Sequence, residues 1–225
     1  MDRVSQSPPD APPTTVHRWA IDFAIWGDTR FLSHLDVLRL FARAVGRARL
    51  PVRFSEGFNP RPRMSLPLPR PVGVASNVER LVLDLTEEMT AAELLSGLGQ
   101  QMPSGVTLST ARLLDSRAQC VPLRVVYFLE LECTAEERPM LERRVSRLLD
   151  TDTLEVERVH PKQAKPRRVN IRPFVDSVEA TSGGIRMCLT VSPEGSARPV
   201  EVCEALGLDS DTVHHRILRT EIEWQ

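Results

Sequence analysis

Residues 18–54 read RWAIDFAIW, GDTR, FLSHLDVLRLFARAVGRARL, PVRF, and this run of strand, turn, helix and strand decides the fold. RWAIDFAIW alternates and is rich in aromatic and branched residues, the pattern of a strand. Beyond the GDTR turn, Leu35, Leu38, Phe41, Ala42 and Val45 recur at helical spacing, and Ser33 stands where an N-cap belongs. PVRF is a short strand. Working outward, ERLVLDLTE (79–87) is a half-buried strand and TAAELLSGLGQQM (90–102) a helix opened by a Thr90/Glu93 capping box. VTLSTARLL (106–114) is a further strand. The order β-α-β-β-α-β is that of a ferredoxin-like unit.

The second half repeats this order. RVVYFLELEC (124–133) is a strand, AEERPMLERRVSRLLD (135–150) a helix and LEVERV (154–159) a strand. VNIRPFVDSVEA and GGIRMCLTVSP form a hairpin or paired strands, PVEVCEALG is a short helix, and HRILRTEIEW closes the chain as a strand. The halves share no residue-level repeat, so the duplication rests on element order alone. The expected fold is α+β, two tandem ferredoxin-like (βαββαβ) units with antiparallel sheets. The expected division is a disordered, Pro- and Ser-rich segment at 1–16, a first unit at 17–118 and a second at 119–225.

The 225 residues are 41% hydrophobic and 26% charged, ordinary for a folded protein, and the formal net charge is only −1. That average hides an asymmetry. From Thr29 to Gly73 nine arginines face two acids, Asp36 and Glu56, and from His160 to Pro173 Lys162, Lys165, Arg167, Arg168 and Arg172 face none. Such polarity suits an anionic partner on one face.

The centre of the first block is RFSEGFNPRPRMSLPLPR (53–70). Gly57 permits a positive backbone angle, while Pro60, Pro62, Pro67 and Pro69 fix φ and remove amide donors, so the loop is expected to be stiff and extended without ladder bonds. Asn59, preceding Pro60, is biased toward an extended or turn conformation. A stiff loop holds Arg61, Arg63 and Arg70 in place, and the planar guanidinium fork suits phosphate oxygens, with Arg53 at the start of the stretch a further anion contact. Ser55 and Glu56 complete the loop, Glu56 as an acid that orients a neighbouring arginine. The bland alternative is an irregular connection whose arginines pair with acids elsewhere. Arg30 of the GDTR turn, Arg168 and Arg172 of the second block, and Arg198 of the turn GSARP (195–199) are further anion contacts.

His34 is the one candidate acid or base, at the start of the first helix; the ordinary alternative is a histidine bonded to its neighbours. Asp36 there is explained by the helix dipole. There is no GxGxxG, P-loop, HExxH or GxSxG pattern, and the four cysteines show neither zinc nor iron–sulfur spacing. Reduced thiols in a cytoplasm are expected. No apolar run approaches membrane-spanning length and no signal peptide is evident, so a soluble protein is expected. Aromatic content is 5%, without the aromatic pair of an RNA-recognition sheet.

The motifs GDTRFLSHLD, FSEGFNPRPRMSLPLPRPVGV, NIRP, GSARP and LRTEIEW, taken together, resemble the bacterial family DUF2344, the radical SAM-linked domain of unknown function, over about Trp19 to Trp224. Asn170 stands where that family usually has an aspartate, which removes any role needing a carboxylate there. The resemblance implies association with a radical SAM protein, which would carry the iron–sulfur cluster and S-adenosylmethionine, with no cofactor in this chain. Together with the arginine blocks it suggests an accessory module that binds tRNA or rRNA and presents it to that partner, with no sequence-specific DNA readout. Two alternatives remain: a metal-independent endoribonuclease using His34, and a scaffold whose arginines dock an acidic surface of the partner.

Overall fold

The computed structural model describes residues 15–115, 118–159 and 166–225; the expected disordered segment lies outside it but for its last two residues. In chain order the elements are β1 His17–Ile25, α1 His34–Ala48, β2 Met64–Ser65, β3 Ala75–Leu85, α2 Ala91–Gly99 and β4 Val106–Leu114; the short strand expected at PVRF is not one, Val52 and Phe54 making only isolated bridges, and β2 lies ten residues further on. The second half follows with β5 Pro122–Glu130, α3 Arg138–Asp150, β6 Glu155–Arg158, β7 Arg167–Asn170, β8 Val175–Thr181 and β9 Gly184–Ser192. β10 Gly195–Ser196, α4 Pro199–Ala205, α5 Ser210–Val213 and β11 Ile217–Trp224 end it.

The protein is α+β, with a nine-stranded, mostly antiparallel sheet in the order β10-β9-β5-β11-β3-β1-β4, β2 also pairing with β3 and β8 with β9. In the first half β4, β1, β3 and β2 are neighbours in that order, every pair antiparallel. In the second half β11, β5, β9 and β8 repeat that arrangement. A short parallel contact, Leu218 against Ala75 and Arg219 against Ser76, splices β11 to β3 and fuses the halves. The strand expected at VNIRPFVDSVEA divides: β7 pairs with β6 in a separate two-stranded ribbon, and only β8 makes the hairpin with β9.

Each half has its own core. In the first, Phe23 of β1 meets Phe41 of α1 edge-on, with ring centroids 4.9 Å apart. The buried stripe of α1 is Val37, Leu40, Phe41, Ala44 and Val45, and Leu35 faces solvent. The sequence holds two overlapping helical stripes that share Phe41 and Val45, and the one that packs into the core is completed by Val37, Leu40 and Ala44 rather than by Leu35, Leu38 and Ala42. The expected caps form: Ser33 Oγ accepts from the Asp36 amide at 3.3 Å, and Glu93 accepts from the Thr90 amide at 2.8 Å. The second core gathers Val125, Leu129, Val145, Leu148, Ile185 and Leu189, and it takes Val74 from the first half.

All four cysteines are free; Cys188 and Cys203 are buried and Cys120 and Cys133 half-buried. Burial raises the Cys188 thiol and pushes that of Cys203 up to about 12. Since the thiolate is the reacting species, native protein treated with a chromogenic disulfide at pH 8 should react in two fast and two slow steps. Mass mapping should assign the slow pair to Cys188 and Cys203, and denaturant should make all four equivalent.

Candidate functional site

The arginine-rich stretch is a projecting hairpin. The Ser55 amide donates to Arg61 O at 2.8 Å and the Arg63 amide to Arg53 O at 2.7 Å, with Phe54 opposite Pro62. This corrects the expectation of a loop without ladder bonds. Pro62 occupies a non-hydrogen-bonded pair, where a missing N–H costs nothing. Both arms are tied to one residue of β3: the Arg53 amide donates to Asp84 O at 2.9 Å, and the Asp84 amide to Arg63 O at 3.0 Å. Residues 54–62 therefore stand out from the sheet edge. Ser55 Oγ accepts from the Arg61 amide at 3.0 Å and pins the tip, where Gly57 adopts φ +117° and Asn59 and Pro60 are exposed.

The guanidinium groups of Arg53, Arg61 and Arg63 make no hydrogen bond or ion pair with any described residue. Glu56, expected to orient one of them, sits exposed at the tip with no cation within ion-pair distance among the described residues. The same hairpin carries Phe58, fully exposed, and Phe54, 52% exposed. Two solvated aromatic rings beside three unpaired arginines are a combination that composition could not reveal.

Arg70, the last arginine of the stretch, turns inward. Its Nη1 donates to Arg30 O at 2.8 Å, Pro71 O at 3.1 Å and Val74 O, and its Nη2 to Leu32 O at 3.2 Å. Burial presses this guanidinium below its ordinary value, with Glu79 opposing and the like charge of Arg219 adding to the effect. Arg70 thus binds the PLPRPVGV segment to the GDTR turn, in which Thr29 Oγ1 donates to Trp26 O at 2.6 Å and Gly105 O at 2.9 Å. Arg30 reaches across the junction between the halves and donates to His215 O at 2.9 Å.

A buried ion pair that the sequence reading missed lies at that junction. Arg219 of β11, 1% exposed, donates to Glu79 Oε1 of β3 at 2.9 Å, to Pro69 O at 2.9 Å and to the Tyr127 hydroxyl at 3.0 Å. Burial opposes the charge on Arg219, but Glu79 and Tyr127 outweigh it and hold the guanidinium above its ordinary value. A second paired arginine, Arg158, grips Glu201 through two bonds of 2.7 Å.

Above the junction opens a cleft of about 690 Å³. The proline-rich run from Pro67 to Val72 forms one wall, Val125, Tyr127 and Leu189 the sheet floor, and Ala197 to Val200 the other wall. Of the arginines singled out in the sequence, Arg70 and Arg198 line it, joined by Arg219 and His214. The His214 ring packs against Gly73, whose φ of +89° leaves no room for a Cβ: one would fall 2.2 Å from His214 Nε2.

The remaining predicted residues do not converge there. Arg168, on the β6–β7 ribbon, is exposed and faces Glu155 at 3.8 Å and Glu157 at 3.4 Å. Arg172 is spent on carbonyls, donating to Leu149 O at 2.7 Å, Val175 O at 2.8 Å and Thr151 O at 3.0 Å, which caps the end of α3. Asn170 Oδ1 accepts from the Leu154 and Arg172 amides at 2.8 and 3.1 Å, a job the amide oxygen does without a carboxylate. Lys162 and Lys165 lie outside the described residues. His34, half-buried, faces a void of about 10 Å³ with Arg70 and Glu79 on its walls, room for a water and no substrate. Among the described residues no cluster of His, Cys, Asp and Glu could hold a metal, and no helix is long and apolar enough to cross a membrane.

A family model described as "Uncharacterized protein conserved in bacteria (DUF2344)" matches residues 18–200. No curated protein matches the chain. Among solved structures, an unknown protein from Galdieria sulphuraria aligns over 94% of this chain and 99% of its own, at 11% identity and a TM-score of 0.26, too low to establish a common fold.

Proposed function

The chain belongs to the DUF2344 family, and from that premise we propose that it is an RNA-binding accessory module that presents tRNA or rRNA to a radical SAM partner. The observation that carries the RNA reading is the hairpin 53–63: the guanidinium groups of Arg61 near its tip and of Arg53 and Arg63 at its base are unpaired among the described residues, and Phe54 and Phe58 on the same hairpin are solvated. Cations neutralise phosphates and release counterions, while exposed aromatic rings stack on unpaired bases. A hairpin anchored at both arms to Asp84 presents these groups on an ordered backbone, so that binding has only their side chains left to order. In this reading each half is a ferredoxin-like unit, supported by the order β4-β1-β3-β2 in one and β11-β5-β9-β8 in the other. The partner, which would supply the iron–sulfur cluster and S-adenosylmethionine, rests on the motifs named above.

The test is fluorescence anisotropy with labelled tRNA and a single-stranded rRNA fragment. Phe58→Ala and Phe54→Ala should each weaken binding to the single strand by about 1–3 kcal/mol, the usual worth of a stacked base, and change binding to a blunt duplex little. Equal losses on both, or none on either, would discard stacking. Binding of the partner in the absence of RNA, retained in Arg61→Glu/Arg63→Glu, would separate presentation of RNA from simple docking through these arginines.

A further inference from the structure

We propose that the cleft between the halves is a binding site for a small amphiphilic oxyanion, a phosphate, sulfonate or carboxylate head on an apolar body. Charge selects the head. Two buried cations line the cleft, Arg70 on the proline-rich wall and Arg219 beside the floor, and the one buried acid near them, Glu79, does not line it. Glu79 is taken by Arg219 at 2.9 Å, and the hydrogen bonds of Arg70 all end on backbone carbonyls. One positive charge is left without a carboxylate, and a buried charge in that condition is costly until a counter-ion reaches it. No wall of the cleft carries an acid.

Arg198 extends the positive character to the mouth. Its Nε is 3.9 Å from Glu201, whose two oxygens are already engaged at 2.7 Å by Arg158, so the exposed Arg198 guanidinium is open to a ligand. Arg219 Nε is buried with no hydrogen-bond partner, a further mark of positive charge in excess of acceptors at this floor.

The walls select the body. Prolines, leucines and valines dominate, and the polar side chains beyond the arginines are Tyr127, Ser196 and His214. The Tyr127 hydroxyl is occupied by Arg219. Amide and carboxylate side chains that would read sugar hydroxyls or base edges are absent from these walls, which favours an apolar body over a nucleotide. The volume of about 690 Å³ lies in the range of small-molecule sites. Arg53, Arg61 and Arg63 do not line the cleft, so this proposal and the RNA reading can fail separately.

The test uses 1-anilinonaphthalene-8-sulfonate, an aromatic sulfonate whose fluorescence rises in apolar sites, titrated into the whole protein. One saturable site is expected. Val72→Glu, an acid on a wall position that is half in solvent, should weaken it about tenfold or more, and Arg198→Gln severalfold. Both positions are exposed, and unchanged melting temperatures would certify the fold. Phenyl phosphate and octanoate should displace the probe at concentrations at which octanol and inorganic phosphate do not, the first pair distinguishing phosphate from carboxylate heads. Binding indifferent to both variants would overturn the proposal. So would displacement by octanol as readily as by octanoate, or by inorganic phosphate as readily as by phenyl phosphate.

Discussion

Glu79→Ala should destabilise the protein by about 3–5 kcal/mol, the usual consequence of removing one partner of a buried ion pair. Arg219 is 1% exposed, so its charge cannot turn to water; with Glu79 gone it keeps only the Pro69 carbonyl and the Tyr127 hydroxyl, both neutral acceptors. The penalty should persist in high salt, because a pair out of reach of solvent is screened far less than a surface pair. Replacing both charges, Glu79→Met with Arg219→Met, should recover most of the loss, since a buried pair offsets its own desolvation only roughly. Denaturant melts of the wild type, Glu79→Met, Arg219→Met and the double variant complete the cycle. A single substitution costing under 1 kcal/mol would mean that the junction is hydrated and that β11 and β3 are not held by this pair.

Gly184→Ala should be as damaging for a different reason. Gly184 sits where β9 turns back from β8, paired with Glu130 at the end of β5, at φ +148°, and an added Cβ would fall 1.9 Å from Leu129 O. That atom is backbone inside the sheet and cannot swing aside. Overpacking and the unfavourable φ together come to about 3–5 kcal/mol, roughly 10 °C of melting temperature for a chain of this size. The neighbouring Gly183→Ala is the control. Its added Cβ would meet only the end of the Phe128 ring at 3.7 Å, an ordinary contact, and stability should hardly change. Equal losses at the two positions would contradict the pairing of β9 with β5.

Local chemistry made the element order legible. Alternation in RWAIDFAIW and ERLVLDLTE, the Ser33 cap and the Thr90/Glu93 box all act within a few residues, and all formed. The stripe of α1 was ambiguous because two faces carry apolar residues, and only packing against other elements buries Val37, Leu40 and Ala44 in place of Leu35. The hairpin at 53–63 was hidden by its prolines, which argue against ladder bonds unless their positions in the pairing are known; Pro62 happens to occupy one that needs no donor. Arg219 was the largest omission. It stands between Leu218 and Thr220 in a strand whose inward phase it shares with Ile217, and a charged residue on that phase is the available signal. Its partner Glu79 lies 140 residues away, on an inward position of β3, and only the splice of the halves brings them together. The same splice unites Arg70 with Arg198 at one cleft and leaves Arg53, Arg61, Arg63 and Arg168 outside it. The single arginine surface suggested by composition is therefore two features, a projecting hairpin and an apolar cleft between the halves.

The central claim, that the hairpin holds RNA, is tested most directly by the salt dependence of tRNA affinity in the wild-type protein and in Arg53→Ala/Arg61→Ala/Arg63→Ala. Each phosphate contact adds about 0.7–0.9 to the slope of log affinity against log salt. The triple substitution should therefore flatten the slope by about 2–3 while leaving the melting temperature in place. A slope identical in the two proteins, or tRNA binding that does not weaken as salt rises, would contradict the account.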